Sequence, residues 1–116
     1  MVNVRVAVIG SRNLQVNNLG KYLPDGVTEI VSGGARGVDT DARSYALQHG
    51  IKLREFLPEY DKYGRGAPIR RNITIIEHAD LVLAFWDGRS HGTKFVIDAC
   101  RVRGIPIKVF QPENST

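Results

Sequence analysis

The 116-residue chain predicts an α/β fold: a doubly wound, five-stranded parallel sheet of order 3-2-1-4-5 with helices on both faces. Three observations predict it. Short β-branched runs alternate with segments of helical periodicity to the end of the chain. No hairpin signal joins consecutive strands, so each connects to the next by a crossover that covers one face of a parallel sheet. Right-handed crossovers leave few topologies, and the chosen order puts the switch point, where open α/β sheets bind ligands, between the first and fourth strands.

Each element has its own signal. "VRVAVIG" is an unbroken apolar run ending in glycine, as a strand buried on both faces should be. In "LQVNNLGKYLP", Val16, Leu19 and Leu23 suggest a short amphipathic helix stopped by Pro24. "TEIVSGG" is the second strand and its loop. Val38, Ala42, Tyr45 and Ala46 then recur at helical spacing, and Gly50 stands where a C-terminal cap belongs. "IKLREFLP" alternates, which predicts a strand with one wetter face near a sheet edge. "EYDKYGRGAPIRRN" reads as one long irregular segment, and Ile69, Ile73 and Ile76 mark a third helix. "DLVLAFW" is the most hydrophobic strand and should be interior. "GTKFVIDACRVRG" gives a fourth helix with Val96, Ala99, Cys100 and Arg103 on one stripe and Gly104 as its cap; "IPIKVF" is the last strand. Together they make a Rossmann-like three-layer sandwich, expected as one domain over residues 1–111 with a frayed tail at 112–116.

Composition narrows the function. A chain of this length buries roughly 65% of its unfolded surface and needs no staple. The single cysteine, Cys100, excludes an internal disulfide and any multi-cysteine zinc site. No metal or cofactor is expected: His49 and His78 fall at helix ends, and His91 stands alone in a loop. No apolar run nears the roughly 20 residues that span a bilayer, and "MVNVRVAVIG" lacks the charged lead and cleavage site of a signal peptide. A cytoplasmic protein without a membrane partner is the expectation. The net charge of +4 favours anionic partners, although surplus lysine and arginine also serve solubility.

In a parallel sheet every strand-to-helix loop lies at one edge. Three such loops combine glycine with a hydroxyl or an arginine: Gly10-Ser11-Arg12; Ser32-Gly33-Gly34-Ala35-Arg36-Gly37; and Trp86 to Thr93, which contains Gly88 and Gly92. Arg70, Arg71 and Asn72 precede the third helix. A helix N-terminus offers unpaired N–H groups and partial positive charge, and glycine lets a phosphate approach them without a Cβ in the way. Arginine adds forked, charge-assisted bonds. The glycine spacing is neither the NTPase phosphate loop nor the dinucleotide fingerprint. The structural alternative is that these glycines serve only tight turns and close packing.

"VAVIGSR", "IVSGGARGVDTDA", "YDKYGRGAPIRRN" and "ADLVLAFWDGRSHGT" together resemble the SLOG superfamily, named after the Smf/DprA DNA-processing proteins and the LOG phosphoribohydrolases, in its small single-domain branch. The resemblance implies a nucleotide or nucleotide-derived ligand on the glycine loops, with Arg71 and Asn72 matching the family's Arg-Asn pair. The expected ligand set is Gly10, Ser11, Arg12, Ser32, Gly33, Gly34, Arg36, Gly37, Arg71, Asn72, Gly88, Gly92 and Thr93. The chain departs from the LOG enzymes where they carry a glutamate just past Gly-Thr: here stand Phe95 and Val96. Cleaving an N-glycosidic bond develops positive charge on the sugar, which neither residue can stabilise; Asp39, Asp87 and Asp98 are the substitutes. The catalytic residues, and whether there is catalysis, stay open. The leading expectation is a nucleotide-binding module acting as a sensor, a carrier or a phosphoribohydrolase-like enzyme. The alternatives are single-stranded DNA binding and a purely structural protein. A homo-oligomer is expected. Trp86 can stack on a base, cover the sheet edge or form a subunit contact, and the stretch around Tyr60, Lys62, Tyr63 and Arg65 can form a lid or a subunit contact.

Overall fold

The computed structural model describes residues 3–111. The proposed tail at 112–116 lies outside the described residues. Five strands form one parallel sheet in the order β3-β2-β1-β4-β5: β1 (Val4–Gly10), β2 (Val27–Ser32), β3 (Lys52–Glu55), β4 (Leu81–Phe85) and β5 (Ile107–Phe110). Order and direction are those the sequence predicts. The central pair, β1 and β4, runs in register from Val6 beside Leu81 to Gly10 beside Phe85. This sets the two strand ends level at the switch point.

Alternation along the strands divides the core into two layers. Val6 and Val8 of β1 join Ile30, Leu83 and Phe85 on one face, against Val38, Ala42 and Ala46 of α1 (Val38–Gln48). Ala7 and Ile9 join Val31, Val82 and Ala84 on the other, against Ile75 and Ile76 of α3 (Ala67–Glu77) and Val96, Ile97 and Cys100 of α4 (His91–Arg103). Burial on both faces is why the interior strands read as unbroken apolar runs.

Four local expectations need correction. The stretch from Leu14 to Leu23 holds only a 3-10 turn, Leu19–Tyr22, instead of an amphipathic helix. Asn18 sits in the left-handed region at φ 57°, which stops helix propagation. The segment is fixed by burial of Leu14, Val16 and Leu19 and by the Val16 amide donating to Asp41 Oδ2 at 2.7 Å. The stretch read as irregular is a helical turn, α2 (Tyr60–Tyr63), a 3-10 turn (Gly64–Gly66) and then α3 itself, with Pro68 in its first turn, where a missing N–H costs nothing. The core stripe of α3 is Ala67, Ile75 and Ile76, whereas Ile69 is 50% exposed. In α4, Val96, Ala99 and Cys100 are buried, but Arg103 is exposed at the helix end and donates to the Ala99 carbonyl.

Phe85 ends β4 beneath the site. It is fully buried, meets Tyr22 edge-on at 5.0 Å between ring centroids and stacks on Phe110 at 5.2 Å. Phe85→Ala is expected to cost about 3–5 kcal/mol in urea unfolding, a large share of the roughly 5–15 kcal/mol that holds a domain folded.

Candidate functional site

At the carboxyl ends of β1 and β4 lies a cleft of about 440 Å³. Its floor is Ile9 and Gly10. The β1 loop supplies Ser11 and Arg12, the β2 loop Gly33, and the first turn of α1 Asp39. Arg71 and Asn72 come from α3, and Asp87, Gly92 and Thr93 from the β4 loop and α4. Thus eight residues of the expected ligand set meet here: Gly10, Ser11, Arg12, Gly33, Arg71, Asn72, Gly92 and Thr93. Ser32, Gly34, Arg36, Gly37 and Gly88 do not line the cleft. Arg36 is exposed and Ser32 is fully buried.

The chain itself fills much of the bare backbone at two glycines. A Cβ on Gly33 would stand 2.6 Å from Arg71 Nη1, so this position is open for an internal guanidinium. Gly37 has φ +74°, and its Cβ would lie 2.5 Å from the Arg12 carbonyl oxygen. The β1 and β2 loops therefore touch backbone to backbone. The sequence suggests that the glycine run is room for a ligand; its first role in the fold is room for Arg71 and for the neighbouring loop.

Arg71 is the most constrained cation of the site. Its Nη1 donates to the Gly33 carbonyl at 2.8 Å and its Nε to Asn72 Oδ1 at 2.8 Å. The adjacent pair thus acts as a unit, with Asn72 setting the plane of the guanidinium. Among the described residues Arg71 Nη2 and Asn72 Nδ2 have no acceptor, which leaves both as donors at the cleft wall. Burial lowers the Arg71 pKa from its ordinary value, and nearby Asp39 opposes that. Arg70, turned about 100° away on the helix, instead lies over the Tyr63 ring at 4.7 Å.

Two carboxylates share the cleft and differ in how they are engaged. Asp87 Oδ1 accepts the Arg89 and Ser90 amides at 2.8 and 2.7 Å, bonds that lower its pKa and pin the loop. Ser11, 1% exposed, accepts the Asp87 amide at 3.2 Å through its hydroxyl oxygen, so it ties the β1 and β4 loops together. Asp39 is 8% exposed. Its Oδ2 accepts the Ala35 amide at 3.1 Å, and Oδ1 takes no hydrogen bond from the described residues. Burial raises its pKa; the Ala35 bond and then the Arg71 charge oppose the rise. The Ser32 hydroxyl lies close enough to assist that opposition, yet it is outside hydrogen-bonding geometry and has no partner.

The third source of donors is the start of α4. Ser90 caps it, accepting the Thr93 amide at 3.4 Å and donating its own hydroxyl to Thr93 Oγ1. The amide of Gly92, in the first turn, has no intrahelical acceptor, as helix geometry requires. Trp86 donates its indole N–H to the Ser90 carbonyl at 3.0 Å, bracing this turn from outside the cleft. His91 is exposed and outside the lining, and Asp98 is held by Lys94 at 2.8 Å on the surface. Buried Cys100 has its thiol pKa pushed up to about 11 by desolvation. Val96, one of the two residues at the expected glutamate positions, closes the cleft with an apolar wall, and Phe95 points to solvent. Asp39, absent from the expected ligand set, also lines the cleft; its signal in the sequence is a carboxylate directly after the glycine loop, in the first turn of α1.

A raised native pKa means that the folded chain holds the Asp39 proton more tightly than the unfolded chain. Its contribution to stability is therefore neutral well below 3.8 and turns unfavourable as pH rises from 3.8 through the native value. Carbon-detected NMR of the carboxyl group should give a midpoint above 3.8, and Arg71→Gln should raise it further. A midpoint at or below 3.8 in the native chain would contradict the burial argument.

No model of a known protein family matches the chain. Its fold matches the X-ray structure of DNA processing protein A (DprA) from Streptococcus pneumoniae with a TM-score of 0.73 at 22% sequence identity, over 97% of this chain and 52% of that one. The chain thus spans about half the length of that protein, and the likeness is one of fold. The Gene 61 protein of Mycobacterium phage D29 is 36% identical over 84 residues, covering 67% of each chain. At that identity and coverage the chain belongs to the family of that Gene 61 protein.

Proposed function

We propose that the cleft binds a nucleotide or nucleotide-derived phosphate ligand and that the chain is a small, single-domain, cytoplasmic SLOG protein. One observation carries the reading. Donors left over after internal bonding, on Arg12, Arg71, Asn72 and the first turn of α4, converge on one cleft at the switch point. Its volume of about 440 Å³ is within the range of small-molecule sites. The donors suit phosphate oxygens, and Asp39 Oδ1, which accepts no hydrogen bond from the described residues, offers an acceptor to a ligand hydroxyl or amine. The remaining expected contacts, Ser32, Gly34, Arg36, Gly37 and Gly88, act in this reading by shaping the loops or by meeting a ligand that extends beyond the cleft. Sensing or carrying is favoured over N-glycosidic hydrolysis, because Phe95 and Val96 stand where that chemistry's glutamate is expected and both cleft carboxylates, Asp39 and Asp87, accept amides of their own loops.

Calorimetry against nucleoside phosphates, ADP-ribose derivatives and cyclic dinucleotides tests the proposal. Arg12, exposed and free of internal bonds among the described residues, is the cleanest probe. Arg12→Ala should weaken binding about 10- to 100-fold, the worth of a charge-assisted hydrogen bond. Absence of binding across the panel, or equal affinity in the variant, refutes it.

A second reading, single-stranded nucleic acid, is favoured by the +4 charge and by the description of the fold neighbour as a DNA processing protein. It predicts oligonucleotide affinity that falls steeply with salt as counterions are released. A flat salt response in filter binding rules out backbone-led recognition.

A further inference from the structure

Across Arg71 from the cleft lies a groove of about 440 Å³, between α3 and the segment that follows β3. Arg71 lines both hollows. Its Nη1 donates to the carbonyl of Gly33, a cleft residue, at 2.8 Å and to that of Phe56, a groove residue, at 3.4 Å. The guanidinium is therefore the partition between them. The β2 loop continues the same boundary. A Cβ on Gly33 would meet Arg71, and a Cβ on Gly34 would stand 2.9 Å from Leu57 Cδ2, in the groove. Two adjacent glycines thus form a bare sill from one hollow to the other. The two hollows differ in chemistry. The cleft gathers unbonded donors that suit an anion. The groove is apolar where it is open: Leu57 and Ile69 are 63% and 50% exposed, and Ile73 adds to the same lining. Its rim carries the carboxylates of Glu59 and Glu77, and its other cation, Arg70, lies over the Tyr63 ring at 4.7 Å.

We propose that the groove holds the base of the nucleotide whose phosphate the cleft binds. The inference rests on the nucleotide reading and gives the ligand a direction. A phosphate is repelled by a groove that presents two carboxylates. A planar heterocycle suits it: the ring covers the exposed apolar side chains, and its exocyclic amine or ring N–H donates to the rim acceptors. The phosphate then lies on the cleft side of Arg71, whose Nη2 has no acceptor among the described residues. The sugar crosses the glycine sill, where no Cβ stands in its way. Arg71 meets both halves of such a ligand, with charge for the phosphate and a flat, weakly hydrated edge for the sugar and base. Gly34, which does not line the cleft, and Ile69, exposed on α3 against its helical pattern, both gain a part in the site. The ligand class is accordingly a base-bearing nucleoside phosphate, and a sugar phosphate fills only half of the site.

Calorimetry on the whole chain tests it by comparing nucleoside monophosphates with ribose 5-phosphate, which keeps the phosphate and sugar but lacks the base. The best nucleotide should bind about tenfold or more tightly than ribose 5-phosphate. The double variant Leu57→Ala, Ile69→Ala should cut that ratio by about tenfold, because the apolar surface that the base covers is lost. Both side chains are exposed, and unchanged circular dichroism confirms the fold. In methyl NMR of the wild type, the Leu57 and Ile69 signals should shift with the nucleotide and stay in place with ribose 5-phosphate. An unchanged ratio in the double variant overturns the groove assignment and leaves the cleft reading standing. An equal loss for both ligands also overturns it, since the side chains then act through the loop and not on the base. If neither ligand binds the wild type, the nucleotide reading falls and the groove assignment falls with it.

Discussion

The site depends on one hydrogen-bonded cation, the Arg71 guanidinium on the Gly33 carbonyl. That bond at 2.8 Å joins α3, which approaches from one face of the sheet, to the loop that ends β2. It needs a residue without a side chain at Gly33, a carboxylate at Asp39 to offset the cost of burying charge, and an amide at Asn72 to fix the plane of the guanidinium. These four residues come from three segments of the chain, yet each is intelligible only through the others. An arginine held this firmly presents its remaining donors in a fixed direction, so little ordering entropy is left for a ligand to offset.

The neighbouring loops are tied down by the same economy of short contacts. Ser11 links the β1 loop to Asp87, Gly37 lets the β2 loop rest on the Arg12 backbone, and Trp86 braces the cap of α4. The strand-to-helix loops therefore behave as one rigid rim and not as separate flaps. What stays exposed and unbonded is Arg12, which is free to adjust to what enters.

The sheet was legible in the sequence because burial on both faces leaves a plain record. "VAVI" and "LVLAF" have no polar residue for water to meet, and the alternation in "IKLRE" marks an edge strand. Eight residues of the cleft were legible for a related reason: parallel topology collects loop residues at one edge whatever their separation in sequence. The remaining elements follow tertiary contacts that no local pattern records. Apolar Val16, Leu19 and Leu23 show helical spacing, but a left-handed Asn18 and the Asp41 carboxylate bind that stretch as a turn. Glycines that look alike in sequence also divide by what approaches them. Gly33 admits a side chain 38 residues away, and only the folded chain can reveal this. Asp39 is hard to read as a cleft residue, because a carboxylate in a first helical turn already has a sufficient local explanation.

The two outer strands are only four residues long, and their outward positions carry Lys52 and Arg54 on β3 and Lys108 on β5. Such rims are poor templates for further strands, since each newcomer would have to desolvate cations and would gain few ladder bonds. Open-ended ribbon growth is thereby blocked at both margins. Packing through the helical layers carries no such cost.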